Sequence, residues 1–247
     1  MSLIVTHISS FGVLQIADSA LTNLGPPVTD AGDATKVFAV PQFNAALSVA
    51  GSYSVGVERL EQWLNDFIAS RSNVADLRAF ANDLGTELTN QATGTQAHIV
   101  HLAGYGHNPL VGTIPEFWHV RNYGGMDETT GAYVSRSGTY AVSEDFQTVN
   151  MPSAGGWPAF QAGAEMIYVN GLVHGRVIFN SAFQSLSAIE SALVNDPTNA
   201  LRAPQSMVEM EKRIVRRFEL VGDVFSRNSY GARIIGGTTQ VIALPQP

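Results

Sequence analysis

The chain has 247 residues, of which 45% are hydrophobic and only 14% are charged, and its formal net charge is −7. An acidic chain without basic runs is poorly suited to hold phosphate backbones, so we expect no nucleic-acid partner. The absence of cysteine excludes a disulfide framework, a thiol nucleophile and a thiolate-bound metal, and it fits a reducing compartment.

The sequence shows no obvious membrane span or export signal. Its apolar runs are short and broken by polar residues, well below the roughly 20 residues needed to cross a bilayer. The N-terminus has no basic region ahead of a long apolar one. We therefore expect a cytoplasmic protein without a membrane partner.

The first half of the chain predicts two strand pairs followed by two helices. Apolar residues recur at helical spacing over 57–67 and 74–88, and Asn73 with Asp76 is a start signal for the second helix. Short β-rich runs separated by turn residues precede both helices. These runs predict hairpin strands at 3–8, 12–17, 35–40 and 45–49.

The second half returns to strands and contains the clearest helix. Ser206 and Glu209 have the spacing of a capping box, which begins a helix predicted over 206–226. Glycines interrupt the helical pattern of residues 159–195, so the bounds of the secondary structure there are not predicted. Strands are predicted at 97–105, 116–123, 133–142 and 239–244. The helix has an apolar stripe of Met207, Met210, Ile214, Phe218, Val221 and Phe225. Its charged residues, which we expect on a solvated or inter-subunit face, are Glu209, Glu211, Lys212, Arg213, Arg216, Arg217 and Glu219.

The order of the predicted elements indicates the fold class. Runs of strands alternate with helix pairs, which is typical of an α+β fold with helices packed outside stacked antiparallel sheets. No linker or internal repeat is evident, so we expect residues 1–247 to form a single domain.

The common catalytic motifs are absent from the sequence. It contains no Gly-x-Ser-x-Gly elbow, His-Glu-x-x-His motif or Walker-type loop. His98 and His101 form the one close histidine pair, but a spacing of three on a strand puts them on opposite faces. We therefore expect neither a metal site nor a cofactor.

The start of the chain offers a different nucleophile. Ser2 follows Met1, and a small residue in this position generally permits removal of the initiator methionine. Removal would give Ser2 a free α-amine, whose pKa of about 7.7–8.0 lets it accept the proton of the adjacent hydroxyl. One residue could then supply both nucleophile and base.

Three short motifs follow Ser2 in a recognisable order. They are Ala17-Asp18-Ser19 at the end of the second strand, Thr35-Lys36-Val37 at the start of the next, and Ala50-Gly51-Ser52 before the first helix. With them, the first 70 residues or so resemble the proteasome β-subunit family of N-terminal nucleophile hydrolases, of the bacterial proteasome-homologue type. The chain departs from that family in having Ser2 where threonine is usual and Ala20 where arginine is frequent.

The resemblance implies a fold and a set of roles. The fold would be the four-layer αββα sandwich, two antiparallel sheets flanked by helices. Ser2 would be the nucleophile, Asp18 would hold Lys36, and the Lys36 cation would favour the deprotonated hydroxyl. The backbone N–H of Gly51 would face the oxyanion of the tetrahedral intermediate. The first specificity pocket would be lined by Val49 and Tyr53.

The leading hypothesis for function is a proteasome-like peptidase, whose Ser2 is exposed by removal of Met1. The resemblance implies a homo-oligomeric ring that acts on peptide or unfolded-protein substrates, with any unfoldase partner unspecified. One alternative is a catalytically silent proteasome-like subunit that only builds a ring or scaffold. The other is an N-terminal nucleophile amidase acting on small amides.

Overall fold

The computed structural model describes residues 2–23, 29–108, 112–126, 133–134, 136–146, 163–199, 201–227 and 235–247. Within these ranges the protein is mixed α/β, with four α-helices and several antiparallel sheets. The helices are α1 Leu60–Ser70, α2 Leu77–Gln91, α3 Val173–Val194 and α4 Met207–Phe225. The strands are β1 Leu3–Ser9, β2 Gly12–Asp18, β3 Ala20–Asn23, β4 Thr29–Asp33, β5 Val37–Val40, β6 Ala45–Gly51, β7 Ser54–Val55, β8 Glu58–Arg59, β9 His98–Asn108, β10 Gly112–Arg121, β11 Gly125–Met126, β12 Tyr133–Val134, β13 Ala141–Phe146, β14 Met166–Gly171 and β15 Thr239–Pro245.

Two antiparallel sheets contain most of these strands. One has four strands in the order β14-β1-β2-β15, and the other has five in the order β13-β10-β9-β6-β5. The hairpin predicted at the start of the chain is confirmed, because β1 pairs with β2 in a register that sets Ile4 opposite Ala17. The second predicted pair is confirmed as β5 and β6, with Val37 opposite Ser48.

Side chains of β1 alternate between two apolar clusters. Leu3 and Val5 lie in a cluster with α3 and α4, whereas Ile4 and Ile8 lie in clusters shared with the other sheet. This alternation is the period-two pattern of a strand, and both faces of β1 are buried. A further cluster joins the five-stranded sheet to α1 and α2.

A polar network lies among the apolar clusters between the two sheets. The amide nitrogen of Asn170 lies 2.9 Å from His101 Nε2 and 3.0 Å from His119 Nε2. Thr6 Oγ1 lies 2.9 Å from His101 Nδ1 and donates to Gln15 Oε1 at 3.0 Å. Burial lowers the pKa of His101 well below its usual value and that of His119 to about 3, so both rings are neutral at pH 7.

The predicted separation of His98 from His101 is confirmed. His98 lies on the opposite face of β9, where its ring contacts the Tyr140 hydroxyl and the Ser54 carbonyl. Burial lowers the pKa of His98 to about 4. Among the described residues, no group of three or more histidine, aspartate or glutamate side chains is arranged to hold a metal ion.

Two predicted element boundaries are wrong. Helix α2 is capped by Asp76, whose Oδ1 accepts the Ala79 N–H at 2.7 Å, and Asn73 lies outside the helix. Helix α1 begins at Leu60, because Val57 lies in the exposed turn between β7 and β8. The strand predicted over 133–142 is also wrong: β12 and β13 occupy the two ends of that range, with residue 135 outside the described part.

Helix α4 confirms its predicted start and corrects its predicted charged face. Ser206 Oγ accepts the Glu209 N–H at 3.3 Å, as a capping residue does. Arg217, expected on a solvated or inter-subunit face, is 3% exposed and donates to Ser187 Oγ at 2.9 Å. Its Nη2 lies 2.6 Å from Glu190 Oε2, close enough for an ion pair although its N–H does not point at that oxygen.

A second ion-pair group from α4 reaches the buried strand β1. Arg213 donates to Glu165 at 2.5 Å and to Glu190 at 2.7 Å. The other carboxylate oxygen of Glu165 lies 3.0 Å from His7 Nε2. Burial alone would raise the pKa of Glu165, but the His7 and Arg213 contacts lower it to about 2. These charges therefore belong to the packing of α4 on the sheet.

Helix α3 could not be delimited from the sequence pattern. It has 22 residues. Its most apolar stretch of 18 residues has a mean hydropathy of 1.2, and only 6% of that stretch is buried. By length and composition alone, it could cross a membrane, which corrects the expectation that no segment has this character. A single such helix is weak evidence for a membrane span.

Candidate active site

Ser2 is held at the start of β1 by its main chain. Its carbonyl oxygen accepts the Leu172 N–H at 3.1 Å, and the following N–H, that of Leu3, donates to Asp18 Oδ1 at 2.8 Å. The Ser2 residue is 5% exposed. The predicted nucleophile is therefore fixed from both sides, by the residue after β14 and by the carboxylate at the end of β2.

Gly171 makes this anchorage possible. Its φ is +116°, and a Cβ there would lie 2.0 Å from the Ser2 carbonyl oxygen. We expect Gly171→Ala to destabilise the fold by more than the about 1–3 kcal/mol typical of a strained backbone, because Ser2 must also shift. Gly32→Ala is the matched control, since Gly32 has a φ of +96° and a Cβ added there would have nothing within 4 Å. Urea unfolding of both variants measures the difference, and equal losses of stability would contradict this expectation.

Asp18 and Lys36 form a buried ion pair. Lys36 Nζ lies 3.2 Å from Asp18 Oδ2 and also donates to the Ala20 carbonyl oxygen at 2.5 Å. Both side chains are 1% exposed. Because burying charged groups is costly even when they are paired, such a pair contributes little net stability.

The lysine content makes this pair more distinctive. The chain has only two lysines, and the other, Lys212, lies exposed on α4. The other twelve of the fourteen lysine and arginine residues are arginines. A lysine ammonium is a compact point charge on a flexible stem, whereas the arginine guanidinium is a rigid, planar fork.

Gly51 ends β6, beside the strand that follows Lys36. Its φ is +119°, and a Cβ would lie 2.1 Å from the Ala97 carbonyl oxygen. That oxygen also accepts the Ser52 N–H at 2.7 Å. The family resemblance implies glycine here for substrate approach, and the structure adds a packing reason that holds without any substrate.

The two residues expected to line the first specificity pocket have different surroundings. Val49 is buried in the cluster formed with α1 and α2. Tyr53 is half-buried, and its hydroxyl donates to the Thr35 carbonyl oxygen at 2.9 Å and to Glu61 Oε2 at 3.0 Å. Burial, followed by Glu61, raises the pKa of Tyr53 well above its usual value. Tyr53 thus contacts the residue that precedes Lys36.

A groove of about 910 Å³ adjoins Asp18 on the side of α4. Apolar residues of α4 and β15, among them Val215, Phe218 and Val241, line part of it. Its remaining lining includes the carboxylates of Glu211, Glu219 and Asp223, and the glycine pair at 236–237. Asp18 therefore borders this groove, while its side chain and that of Lys36 stay buried.

The comparisons with known proteins identify the fold. The chain is similar to a mutant form of Anbu from Hyphomicrobium sp. strain MC1, with 12% identity over 99% of this chain and 83% of that one and a TM-score of 0.50. The chain has a proteasome-like fold. Other similar structures are Anbu, the ancestral beta-subunit, from Yersinia bercovieri (15% identity, 98% and 81% covered, TM-score 0.49) and eukaryotic HslV from Trypanosoma brucei (14% identity, 99% and 99% covered, TM-score 0.44). No protein-family model and no curated protein matches the sequence.

Sequence reasoning missed several residues around this candidate site. Gln240 of β15 binds the backbone beside Lys36, and Ser19 donates to Asp33 Oδ1 at 2.6 Å. Glu61 accepts a hydrogen bond from Thr35 Oγ1 at 2.8 Å. A glutamine within the apolar strand at 239–244 was an available signal. The family resemblance also implies a supporting Asp and Ser late in the chain, which have no clean match near residues 227–230, and residues 228–230 lie outside the described part of the chain.

Proposed function

We propose that this chain is an N-terminal nucleophile hydrolase that cleaves peptide bonds, with Ser2 exposed by removal of Met1. The observation that carries the proposal is the buried Asp18–Lys36 pair, whose carboxylate also accepts the N–H of Leu3, the residue after Ser2. An ion pair shielded from water and joined to the first strand is a means of organising charge around that serine.

In this mechanism, the Ser2 α-amine takes the proton of the Ser2 hydroxyl as Oγ attacks the substrate carbonyl carbon. The Gly51 N–H stabilises the oxyanion, and the Lys36 ammonium stabilises the negative charge that develops on Oγ. Collapse of the intermediate breaks the C–N bond, and the α-amine returns the proton to the leaving amine. Water then hydrolyses the ester on Ser2, which restores the free hydroxyl.

The proposal includes the finer architecture and assembly. Apolar clusters between α1–α2 and one sheet, between the two sheets, and between the other sheet and α3–α4 support a four-layer αββα sandwich formed by one domain. We propose a cytoplasmic homo-oligomeric ring of the bacterial proteasome-homologue type. Large apolar side chains exposed on α3 and α4 support an assembly that covers them: Val177, Ile189, Leu193, Val208, Leu220 and Val224.

The first test compares the N-terminus with activity. Intact-mass measurement shows whether Met1 is absent, and fluorogenic peptides and small amides are assayed with the same preparation. We expect Ser2→Ala, which also permits Met1 removal, to abolish turnover, and Ser2→Thr to retain part of it. Ser10→Ala, a serine at the other end of the first hairpin, is the control that keeps activity.

The outcomes separate the three hypotheses. Undiminished peptidase activity in a protein that fully retains Met1 would contradict the mechanism. Turnover of small amides without peptides would assign an amidase instead. A protein that lacks both activities with a free Ser2 would be the silent ring or scaffold subunit.

A further inference from the structure

We propose that Gln240 is a positioning residue that holds Lys36 against Asp18; its catalytic consequence rests on the function proposed above. Gln240 Oε1 accepts the Lys36 N–H at 2.7 Å and the Val37 N–H at 3.3 Å. Its Nε2 donates to the Ala34 carbonyl oxygen at 2.6 Å. One side chain therefore makes three hydrogen bonds to the backbone on both sides of the buried lysine.

The position of Gln240 in the sheet explains why it can do this. Strand β15 pairs with β2, and their register sets Thr239 opposite Asp18 and Gln240 opposite Ala17. Alternation along β15 places Val241 in the cluster with α3 and α4, and Ile242 in the clusters between the sheets. Gln240 is two residues before Ile242 and therefore lies on the same face of β15, so it projects toward the other sheet, where the segment before β5 lies.

Gln240 thereby connects the two partners of the ion pair. Asp18 ends β2 in the four-stranded sheet, whereas Lys36 immediately precedes β5 in the five-stranded one. Since β15 is hydrogen-bonded to the strand of Asp18, a side chain from β15 that binds the Lys36 backbone fixes one partner relative to the other. The Gln240 contact spans 204 residues along the chain, so it depends on the tertiary fold.

Other contacts hold the same segment from its second side. Thr35 donates to Glu61 and its carbonyl oxygen accepts from Tyr53, while the Lys36 carbonyl oxygen accepts the Val49 N–H at 3.0 Å. These contacts come from α1, the five-stranded sheet and its following loop. On the side of Asp18, the Ala34 N–H also donates to the Ser19 carbonyl oxygen at 2.9 Å, but this bond does not involve Lys36 itself, whose backbone N–H is bound by Gln240. Removing Gln240 is therefore expected to loosen the ion pair while β5 stays attached to its own sheet.

The test uses Gln240→Met, which keeps the length of the side chain and removes all three hydrogen bonds. Its matched control is Gln96→Met. Gln96 likewise makes three hydrogen bonds to the backbone, at a place away from Lys36. Its Oε1 accepts the Gly56 and Thr93 N–H groups at 2.8 and 2.9 Å, and its Nε2 donates to the Gly56 carbonyl oxygen. Thermal unfolding of both variants checks that they are folded and compares their loss of stability.

The first readout is independent of activity. Native protein is treated with formaldehyde and cyanoborohydride, and mass spectrometry follows methylation of the only two lysines, with the exposed Lys212 as internal standard. Lys36 should be protected in the wild type and in Gln96→Met. In Gln240→Met, we expect its methylation relative to Lys212 to be about tenfold faster or more, since local opening exposes the amine. Equal protection in all three proteins would overturn the proposal.

The second readout is peptide hydrolysis. We expect Gln240→Met to lower kcat about tenfold to a hundredfold with KM nearly unchanged, because a displaced Lys36 affects the chemical step rather than substrate binding. An equal fall in kcat for Gln96→Met would assign the effect to general destabilisation and overturn the proposal. If the wild type with a free Ser2 hydrolyses nothing, the proposed function fails, and the methylation arm still decides the positioning role.

A second variant covers the case in which Gln240→Met does not fold. Gln240→Glu keeps an acceptor for the Lys36 and Val37 N–H groups and loses the donor to Ala34. We expect a relative Lys36 methylation rate above that of the wild type. A rate equal to that of the wild type, in the absence of folded Gln240→Met, would overturn the proposal.

Discussion

Lys36→Met is expected to lower peptidase kcat/KM by about 10²–10³-fold, the range typical of removing one group that stabilises developing charge. The substitution keeps the length of the side chain and removes the cation that lies 3.2 Å from Asp18. Lys212→Met is the matched control, because it changes the one other lysine of the chain at an exposed site on α4. Steady-state assays with a fluorogenic peptide should show kcat/KM nearly unchanged for this control.

The same substitution affects stability, and a double variant separates the two effects. Lys36→Met leaves the Asp18 carboxylate buried without its cation, which typically costs about 3–5 kcal/mol. Asp18→Asn combined with Lys36→Met removes both charges and should recover most of that stability without recovering activity. Full activity of either variant in a well-folded protein would exclude Lys36 from the mechanism.

The free energy of unfolding is expected to fall steeply as the pH decreases below about 6.5. Burial lowers the folded-state pKa of His98 to about 4 and of His119 to about 3, and it also lowers that of His7 and His101. The unfolded chain therefore binds protons first. The stabilisation from the neutral rings is complete above the unfolded pKa of about 6.5 and is lost as the pH falls toward the folded values. Each ring contributes a slope of up to about 1.4 kcal/mol per pH unit.

Urea unfolding between pH 8 and pH 5 measures this slope. His119→Gln should reduce it by about one proton, since it removes one of the titrating rings. His107→Gln is the control, because it makes the same substitution at a histidine that is exposed near the end of β9. Glu165, whose pKa is lowered to about 2, loses its contribution only at lower pH and does not account for a decline near pH 6. A stability that is flat from pH 7 to pH 5 would contradict the prediction.

The hairpin β1–β2 and the start of α4 show which features were accessible from the sequence. Both depend on residues close together along the chain: alternating apolar residues around a short turn, and Ser206 three positions before Glu209. Local patterns of this kind are expressed in the fold when packing supports them. The wrong predicted starts of α1 and α2 also have local causes. Val57 has the spacing of the α1 apolar residues but lies in a turn, and α2 is capped by Asp76, three residues after the predicted cap Asn73.

Arg217 and α3 show where composition is a poor guide to burial. A run of charged residues on α4 predicts a solvated face, yet Arg217 is buried because α3 supplies Ser187 and Glu190 as partners. Burial of a charge depends on partners from another element, and α3 could not be delimited through its glycines. Its 22 residues form one helix, and the most apolar part of that helix is largely exposed.

The candidate site divides along the same line. The order of the site residues from Ser2 to Gly51, with Asp18 near the end of one strand and Lys36 near the start of another, was determined by the sequence alone, because it follows from turns, strands and a motif resemblance within the first 51 residues. The strands β3 and β4 that separate β2 from β5 were not predicted. The contact between Asp18 and Lys36, their burial and the three hydrogen bonds of Gln240 were decided only by the tertiary structure. Strand pairing of β2 with β15 brings together residues more than 200 positions apart, and no local periodicity encodes a hydrogen bond over that separation.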